Sequence, residues 1–344
     1  MTQHIAIAGA TGAVGTEFLR LLELRDFPMK SLKLLASARS AGRKIDFRGE
    51  SLEVEELTPN SFRGVDLAFF SAGGSCSKEY APKAVESGAL VIDNSSAFRM
   101  DEEVPLVVPE INPEQAFRHQ GLIANPNCST IQMVVALNPI HRAADISRVV
   151  VSTYQSVSGA GASAMEELKQ QLRAWARNEP MEQEIFPEQI AFNLLPHIDV
   201  FMENGYTREE MKMVEETRKI MNAPEMRISA TCVRVPVLRA HSEAVWVETE
   251  KGLSETEARS LFEQAPGIVV RDDRSDGGYP TPWDVAETQE TYVGRIRKDL
   301  SHPSGLTFWV VADQLYKGAA LNAIQIAEIL RQGEQESMTA KNRE

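Results

Sequence analysis

A cysteine in the run Asn127-Cys128-Ser129-Thr130 has the setting of a nucleophile. An apolar strand over 121–124 and Asn125-Pro126 precede it, and an apolar helix over 131–137 follows. The positive end of that helix and its unpaired N–H groups favour thiolate over thiol, and thiolate is the form that attacks a carbonyl carbon. The same N–H groups can hold the oxyanion such an attack creates. A buried structural thiol is the competing reading, since free cysteine is among the most buried residue types. The segment alone weighs the two evenly. A cysteine nucleophile calls for a histidine nearby as acid/base. His241, in His241-Ser242-Glu243-Ala244-Val245, comes shortly after 231–237, but any of the six histidines could serve.

The elements that would position this chemistry begin at the N-terminus. A short apolar strand over 4–8 runs into Gly9-Ala10-Thr11-Gly12-Ala13-Val14-Gly15, and 16–24 reads as a helix with Phe18, Leu19, Leu21 and Leu22 inward. Glycines at 9, 12 and 15 let the chain turn tightly, approach a phosphate and pack the helix on the sheet. The expected cofactor contacts here are Gly9, Thr11, Gly12, Ala13, Val14 and Gly15. A tight turn with no ligand is the alternative. After an apolar strand over 32–36, the loop Ser37-Ala38-Arg39-Ser40 carries no Asp or Glu for a ribose 2'-hydroxyl. Ser37, Arg39 and Ser40 suit a 2'-phosphate instead, so the chain is expected to prefer NADP to NAD.

Further parallel-sheet units follow over 65–70, 78–87 and 89–92, which places Arg99 in the crevice beyond the strand ends as a surface residue or an anion clamp. Beyond the cysteine helix, longer strands and connections mark a second domain. A β-branched strand over 148–154 ends in the small, flexible loop 155–161, able to close over a cofactor. Met165, Leu168, Leu172 and Trp175 recur at helical spacing, which indicates core or dimer contact. Thr207 reads as an N-cap for a helix that puts Glu209 and Lys212 on one face, ordinarily a surface ion pair.

Composition narrows the class. The 344 residues carry a formal charge of -13 without a Lys/Arg cluster, which argues against nucleic acid or an anionic membrane as partner. No apolar run near the N-terminus is long enough to span a bilayer. Three cysteines form neither a disulfide framework nor a CxxC metal pattern. A soluble cytoplasmic protein with no metal is expected.

The glycine run 9–15, Asn125-Pro126-Asn127-Cys128-Ser129-Thr130, Gln155 with Ser158-Gly159-Ala160-Gly161, Glu209-Glu210-Met211-Lys212, and Arg234 seven before His241 occur in order. This combination resembles aspartate-semialdehyde dehydrogenase from about residue 4 to about residue 328. The resemblance implies an α/β fold: an N-terminal Rossmann-type domain, 1–127 with 318–344, and an α+β catalytic and dimerisation domain, 128–317. It also implies NADPH-dependent reductive dephosphorylation of 4-phospho-L-aspartate to the 4-semialdehyde through a cysteine thioester, on the route to lysine, methionine and threonine. Cys128 would be the nucleophile, His241 the acid/base and Gln155 the residue that positions the acyl group. Arg234 would grip the α-carboxylate, Glu209 the α-ammonium, and Arg99, Asn127 and Lys212 the phosphate. Ser158, Gly159 and Gln314 would meet the cofactor, and the chain would form a homodimer. Two departures stand out: Gln314 where Asn is usual, and Cys76 where a hydroxyl could face the cofactor. The alternatives are N-acetyl-gamma-glutamyl-phosphate reductase, whose substrate has no free ammonium for Glu209, and a noncatalytic paralogue acting as a binding module.

Overall fold

The computed structural model describes residues 3–341, with side chains to residue 336. The chain divides into two compact units, Met1–Asn127 with Ala319–Glu344, and Cys128–Gly318.

In the first unit, β1 (Gln3–Ala8), α1 (Ala13–Leu24), β2 (Met29–Ala36), β3 (Lys44–Phe47), β4 (Glu50–Glu56), β5 (Leu67–Phe70), α2 (Gly74–Glu86), β6 (Leu90–Asp93) and β7 (Leu122–Ala124) alternate in the manner of a doubly wound fold. The sheet order is β3-β4-β2-β1-β5-β6-β7, and only the β3/β4 pair is antiparallel. β1 therefore has β2 on one side and β5 on the other, which makes its carboxyl end the switch point where such sheets bind nucleotides. α1 buries Phe18, Leu19, Leu21 and Leu22, each worth about 1.5–3 kcal/mol of apolar burial. The helix starts at Ala13 rather than at residue 16, because Gly12 already serves as its N-cap. The β3/β4 hairpin was not expected. Its residues are mostly exposed and charged, its apolar alternation is limited to Ile45 and Phe47 on β3 and Leu52 and Val54 on β4, and the turn is carried by Arg48 and Gly49 at φ 49° and 79°.

The second unit contains α3 (Cys128–Ala144), β8 (Ile146–Gln155), α4 (Ala162–Ala176), α5 (Arg208–Ile220), β9 (Arg227–Arg234), β10 (His241–Thr249), α6 (Glu255–Gln264), β11 (Ile268–Val270), α7 (Pro282–Val285), β12 (Thr291–Lys298) and β13 (Gly305–Ala312). A mixed sheet of order β11-β12-β13-β10-β8-β9 forms its centre. Strand alternation turns Val245 and Val247 of β10 into a core with Met133 and Leu137 of α3, Met213 of α5 and Phe262 of α6. The opposite parity gives Tyr154 and Trp246, each 36% exposed. In α4, Leu168 is buried, whereas Leu172 and Trp175 are exposed; Trp175 rests on Phe192 with ring centroids 4.9 Å apart.

A π-helical turn, Tyr316–Ala320, leads to α8 (Leu321–Lys341), which returns to the first unit. There Arg25 pairs with Glu328 at 2.7 Å, and Asn322 Nδ2 donates to Val107 O at 3.0 Å. α8 continues to Lys341, and residues 342–344 lie outside the described residues.

Candidate active site

The glycine turn of the first unit is shaped for close approach. Gly9 has φ 92°, and a Cβ there would stand 2.4 Å from Ser71 O; one on Gly15 would stand 2.1 Å from Gly9 O. No side chain caps α1, so the first N–H groups of the helix, at Ala13, Val14 and Gly15, remain available to an anion. Thr11 Oγ1 donates to the buried Ser40 Oγ at 3.4 Å, which joins the glycine turn to the loop after β2. Ser37 and Arg39 are exposed beside it. These residues fit a dinucleotide whose ribose carries a phosphate.

Arg99 is buried at the carboxyl ends of β6 and β7. Its Nε donates to Asn125 O at 2.9 Å and its Nη2 to Asn94 O at 2.7 Å. Those two carbonyls fix the guanidinium, so it is no flexible surface group. Asn127 is buried at the end of the same unit. Cys76 lies half-buried in the first turn of α2, and burial, then Glu79 and Asp93, push its thiol up.

In the second unit, Cys128 is the first residue of α3 and half-buried. The neighbouring Gly318 is indispensable to this packing, because a Cβ there would lie 2.8 Å from Cys128 Cβ. The other thiol of the unit, Cys232, is buried and its pKa is raised well above the ordinary value by burial and then Glu209, which makes it inert.

His241 is fully buried at the start of β10. Its Nδ1 accepts from Ser156 N at 3.0 Å, and Ser156 Oγ lies 3.1 Å from the same atom. A backbone N–H can only donate, so Nδ1 holds the lone pair and the neutral ring carries its proton on Nε2. Nε2 has no hydrogen-bond partner among the described residues. Burial, then the positive charge of Arg234, lowers its pKa to about 3, which keeps the ring neutral. Gly159 brings the backbone of the 3-10 turn Val157–Ala160 against this pair: a Cβ would stand 2.9 Å from Arg234 Nη1 and 3.2 Å from His241 Nε2.

Arg234, at the end of β9, donates from Nη1 to Ser156 O at 2.7 Å, and burial lowers its pKa. Gln155 is its register partner at the end of β8. Gln155 Oε1 accepts from Thr153 Oγ1 at 3.0 Å, while Nε2 donates to Glu209 Oε1 at 3.1 Å. Glu209 Oε2 in turn meets Lys212 Nζ at 3.0 Å, and Lys212 also reaches Asp199 Oδ2 at 2.8 Å. Burial alone would lower Lys212, but Glu209 and Asp199 outweigh it and raise its pKa. The ion pair anticipated for Glu209 and Lys212 is therefore present, yet Glu209 is buried against Gln155 rather than solvated. Gln314 uses its longer amide inside the unit: Nε2 donates to Ser158 Oγ and Oε1 accepts from Ala240 N at 2.8 Å, tying the turn over 157–160 to the residue before His241.

Cys128, Gln155, Ser158, Gly159, Glu209, Lys212, Arg234, His241 and Gln314 thus belong to the second unit, and Arg99, Asn127 and the glycine turn to the first. Ser156, Gly318 and Thr153 were not singled out from the sequence, because nothing local reports that they touch His241, Cys128 and Gln155. Among the described residues no group of three or more His, Cys, Asp or Glu could hold a metal ion, and no helix is long and apolar enough to cross a membrane.

A dinucleotide-binding sheet in one unit and a cysteine with a buried neutral histidine, an arginine and a carboxylate in the other define a nucleotide-dependent dehydrogenase. The family model for the semialdehyde dehydrogenase NAD binding domain matches residues 4–119, and that for the semialdehyde dehydrogenase dimerisation domain matches 137–317. Aspartate-semialdehyde dehydrogenase of Aquifex aeolicus (strain VF5) is 57% identical over 334 residues, 96% of this chain and 98% of that protein. The enzyme of Bacillus subtilis (strain 168) is 53% identical over 336 residues, 95% of this chain and 97% of that protein. Aspartate semialdehyde dehydrogenase II from Vibrio cholerae complexed with ASA superposes with a TM-score of 0.94 at 49% identity, covering 96% of this chain and 99% of that one. The Candida albicans enzyme with NADP gives a TM-score of 0.75 at 25% identity, over 96% and 99% of the two chains. The chain belongs to the aspartate-semialdehyde dehydrogenase family.

Proposed function

We propose that this chain catalyses the NADPH-dependent reductive dephosphorylation of 4-phospho-L-aspartate to L-aspartate 4-semialdehyde and phosphate, a step toward lysine, methionine and threonine. The observation that carries the reading is the pairing of near full-length identity to such enzymes with Cys128 at a helix start in the same unit as the buried, neutral His241. Glu209, held against Gln155 where an ammonium could replace Lys212, favours an amino-acid substrate over the N-acetylated glutamyl one.

Cys128 Sγ attacks the acyl phosphate carbon, the C–O bond to phosphate breaks, and a thioester remains. The glycine turn, with Ser37, Arg39 and Ser40 at the 2'-phosphate, would hold NADPH, which when bound would supply the hydride needed to reduce this thioester. His241 Nε2–H donates to the oxyanion on the reacting carbon. The lone pair that Nδ1 shows to Ser156 N supports that donor role, and burial opposes an imidazolium. Collapse of the oxyanion breaks the C–S bond, releases the aldehyde and returns the thiolate; the proton of the net reaction goes to phosphate. Arg234 binds the α-carboxylate, Glu209 the α-ammonium, Gln155 the acyl group, and Arg99, Asn127 and Lys212 the phosphate. Ser158, Gly159 and Gln314 complete the cofactor contacts. The domain boundaries 1–127 with 318–344 and 128–317 are proposed as functional halves. The half-bare sheet face with Tyr154 and Trp246, in the unit matched by the dimerisation model, supports a homodimer. Biosynthetic work on small anions supports a cytoplasmic location.

The test is absorbance of NADPH formed from L-aspartate semialdehyde, NADP+ and phosphate. The reading predicts a phosphate-dependent signal; well-folded protein that binds NADP and turns over only the N-acetylated longer semialdehyde would overturn it.

A further inference from the structure

Glu243 is a fully buried carboxyl two residues beyond His241 on β10, hence on the same face of the sheet. Its register partners are Thr153 on β8 and Val310 on β13, and Thr153 is in turn the partner of Cys232 on β9. All four of these side chains are inaccessible to solvent, so a dry row lies directly beneath the one that holds His241, Gln155 and Arg234. Neither oxygen of Glu243 has a hydrogen-bond partner among the described residues. An ionised carboxylate in such a place, without a cation, costs several kcal/mol, and the group keeps its proton instead.

The polar side chain against it is Gln132, one turn beyond Cys128 on α3, whose Oε1 is also without a partner. Two acceptors can bond only when one carries a hydrogen. One N–H of Gln132 Nε2 donates to the backbone oxygen of His241 at 3.4 Å, and although the Gln132 amide beside Glu243 favours the charged form, burial outweighs it. The ionisable or charged neighbours on the packed elements are His241 on the same strand, Cys128 on α3, Cys232 and Arg234 on β9, and Glu209 and Glu210 on α5. Arg234 is turned to Ser156 O, and the two α5 carboxylates only add to the cost of a charge on Glu243.

We propose that Glu243 is a positioning residue that works as a neutral carboxylic acid: its O–H donates to Gln132 Oε1, and Gln132 Nε2 holds the His241 carbonyl, so the helix that starts at Cys128 and the strand that starts at His241 are joined. The positioning part rests on the catalytic reading above; the protonation part does not. No charge is needed at this position, only a donor, and the neutral amide of glutamine reproduces it.

The experiment compares wild type, Glu243→Gln and Glu243→Ala by thermal midpoint across pH and by kcat. Burial raises the Glu243 pKa well above its ordinary value, so the folded state binds one more proton than the unfolded one above about pH 4.5, and wild-type stability declines as pH rises through that window. The midpoint of Glu243→Gln should therefore match wild type at about pH 5 and exceed it increasingly toward about pH 9. Infrared difference spectra of wild type minus Glu243→Gln should show a protonated carboxyl band at neutral pH. In activity, Glu243→Ala should lower kcat by about tenfold or more, with Glu243→Gln recovering most of the loss. A Glu243→Gln protein less stable than wild type at every pH, or one without the pH-dependent gain and without the infrared band, would overturn the neutral acid. A Glu243→Ala protein with unchanged kcat would overturn the positioning role while leaving the assay of the main reaction intact.

Discussion

At the scale of single residues, the site depends on atoms that are missing as much as on those present. Gly159 lets the 157–160 turn lie against Arg234 and His241 at once, and the Cβ of an alanine would stand 2.9 Å from Arg234 Nη1. Gly159→Ala must therefore move the guanidinium that is proposed to orient the substrate. Misplacement of a positioned group by about an ångström costs roughly a hundredfold, so kcat/KM should fall by about that factor while the thermal midpoint stays near wild type. Steady-state kinetics beside a melting curve would check it, and unaltered kcat/KM would remove Arg234 from its role. Residue type made only part of this legible: Cys128 stands out because a thiol at a helix start has recognisable chemistry, whereas Arg234, Glu209 and the choice of His241 among six histidines rest on the family resemblance. Glu243, Gln132, Ser156 and Gly318 did not stand out, since their importance lies in contacts across strands and helices that no local spacing encodes.

Elements explain why these side chains arrive together. Thr207 caps α5 in a reciprocal box: its Oγ1 accepts from Glu210 N at 3.4 Å, and Glu210 Oε2 accepts from Thr207 N at 2.7 Å. The other carboxylate oxygen of Glu210 accepts from Cys232 N at 3.0 Å, which pins the start of α5 to β9 and delivers Glu209 to Gln155. Thr207→Ala should cost about 1 kcal/mol of stability by denaturant titration and raise KM for the amino-acid substrate, because Glu209 loses its support. A stability loss with unchanged KM would separate the cap from the site. The cap and the glycine turn were readable from sequence, as each depends on a few adjacent residues. The β3/β4 hairpin was not, and neither was the extent of α8, because two alternating apolar residues per strand, Ile45 and Phe47 then Leu52 and Val54, are too short a pattern among charged residues, and a polar helix end has none.

For the whole molecule, two units divide the labour. One offers a switch-point crevice and an uncapped helix start suited to a dinucleotide phosphate, and the other offers a thiol, a neutral histidine and a carboxylate–amide network suited to an amino-acid acyl group. The order in which the chain visits them was legible because the glycine run, the cysteine run and the Arg234/His241 spacing are each short and occur in sequence. The pairing of the six-stranded sheet was not, since its strands combine over separations of up to roughly a hundred residues, beyond any local pattern. Cys128 is proposed to carry the acyl group between these two halves of the reaction. Mixing the protein with 4-phospho-L-aspartate in the absence of NADPH, followed by acid quench and mass spectrometry of the peptide containing residue 128, tests it most directly. An aspartyl adduct on Cys128 should form as phosphate is released, disappear on addition of NADPH, and be absent from Cys128→Ala, whose turnover should fall on the order of a thousandfold or more. Normal turnover by Cys128→Ala, or phosphate release with no adduct on this cysteine, would contradict it.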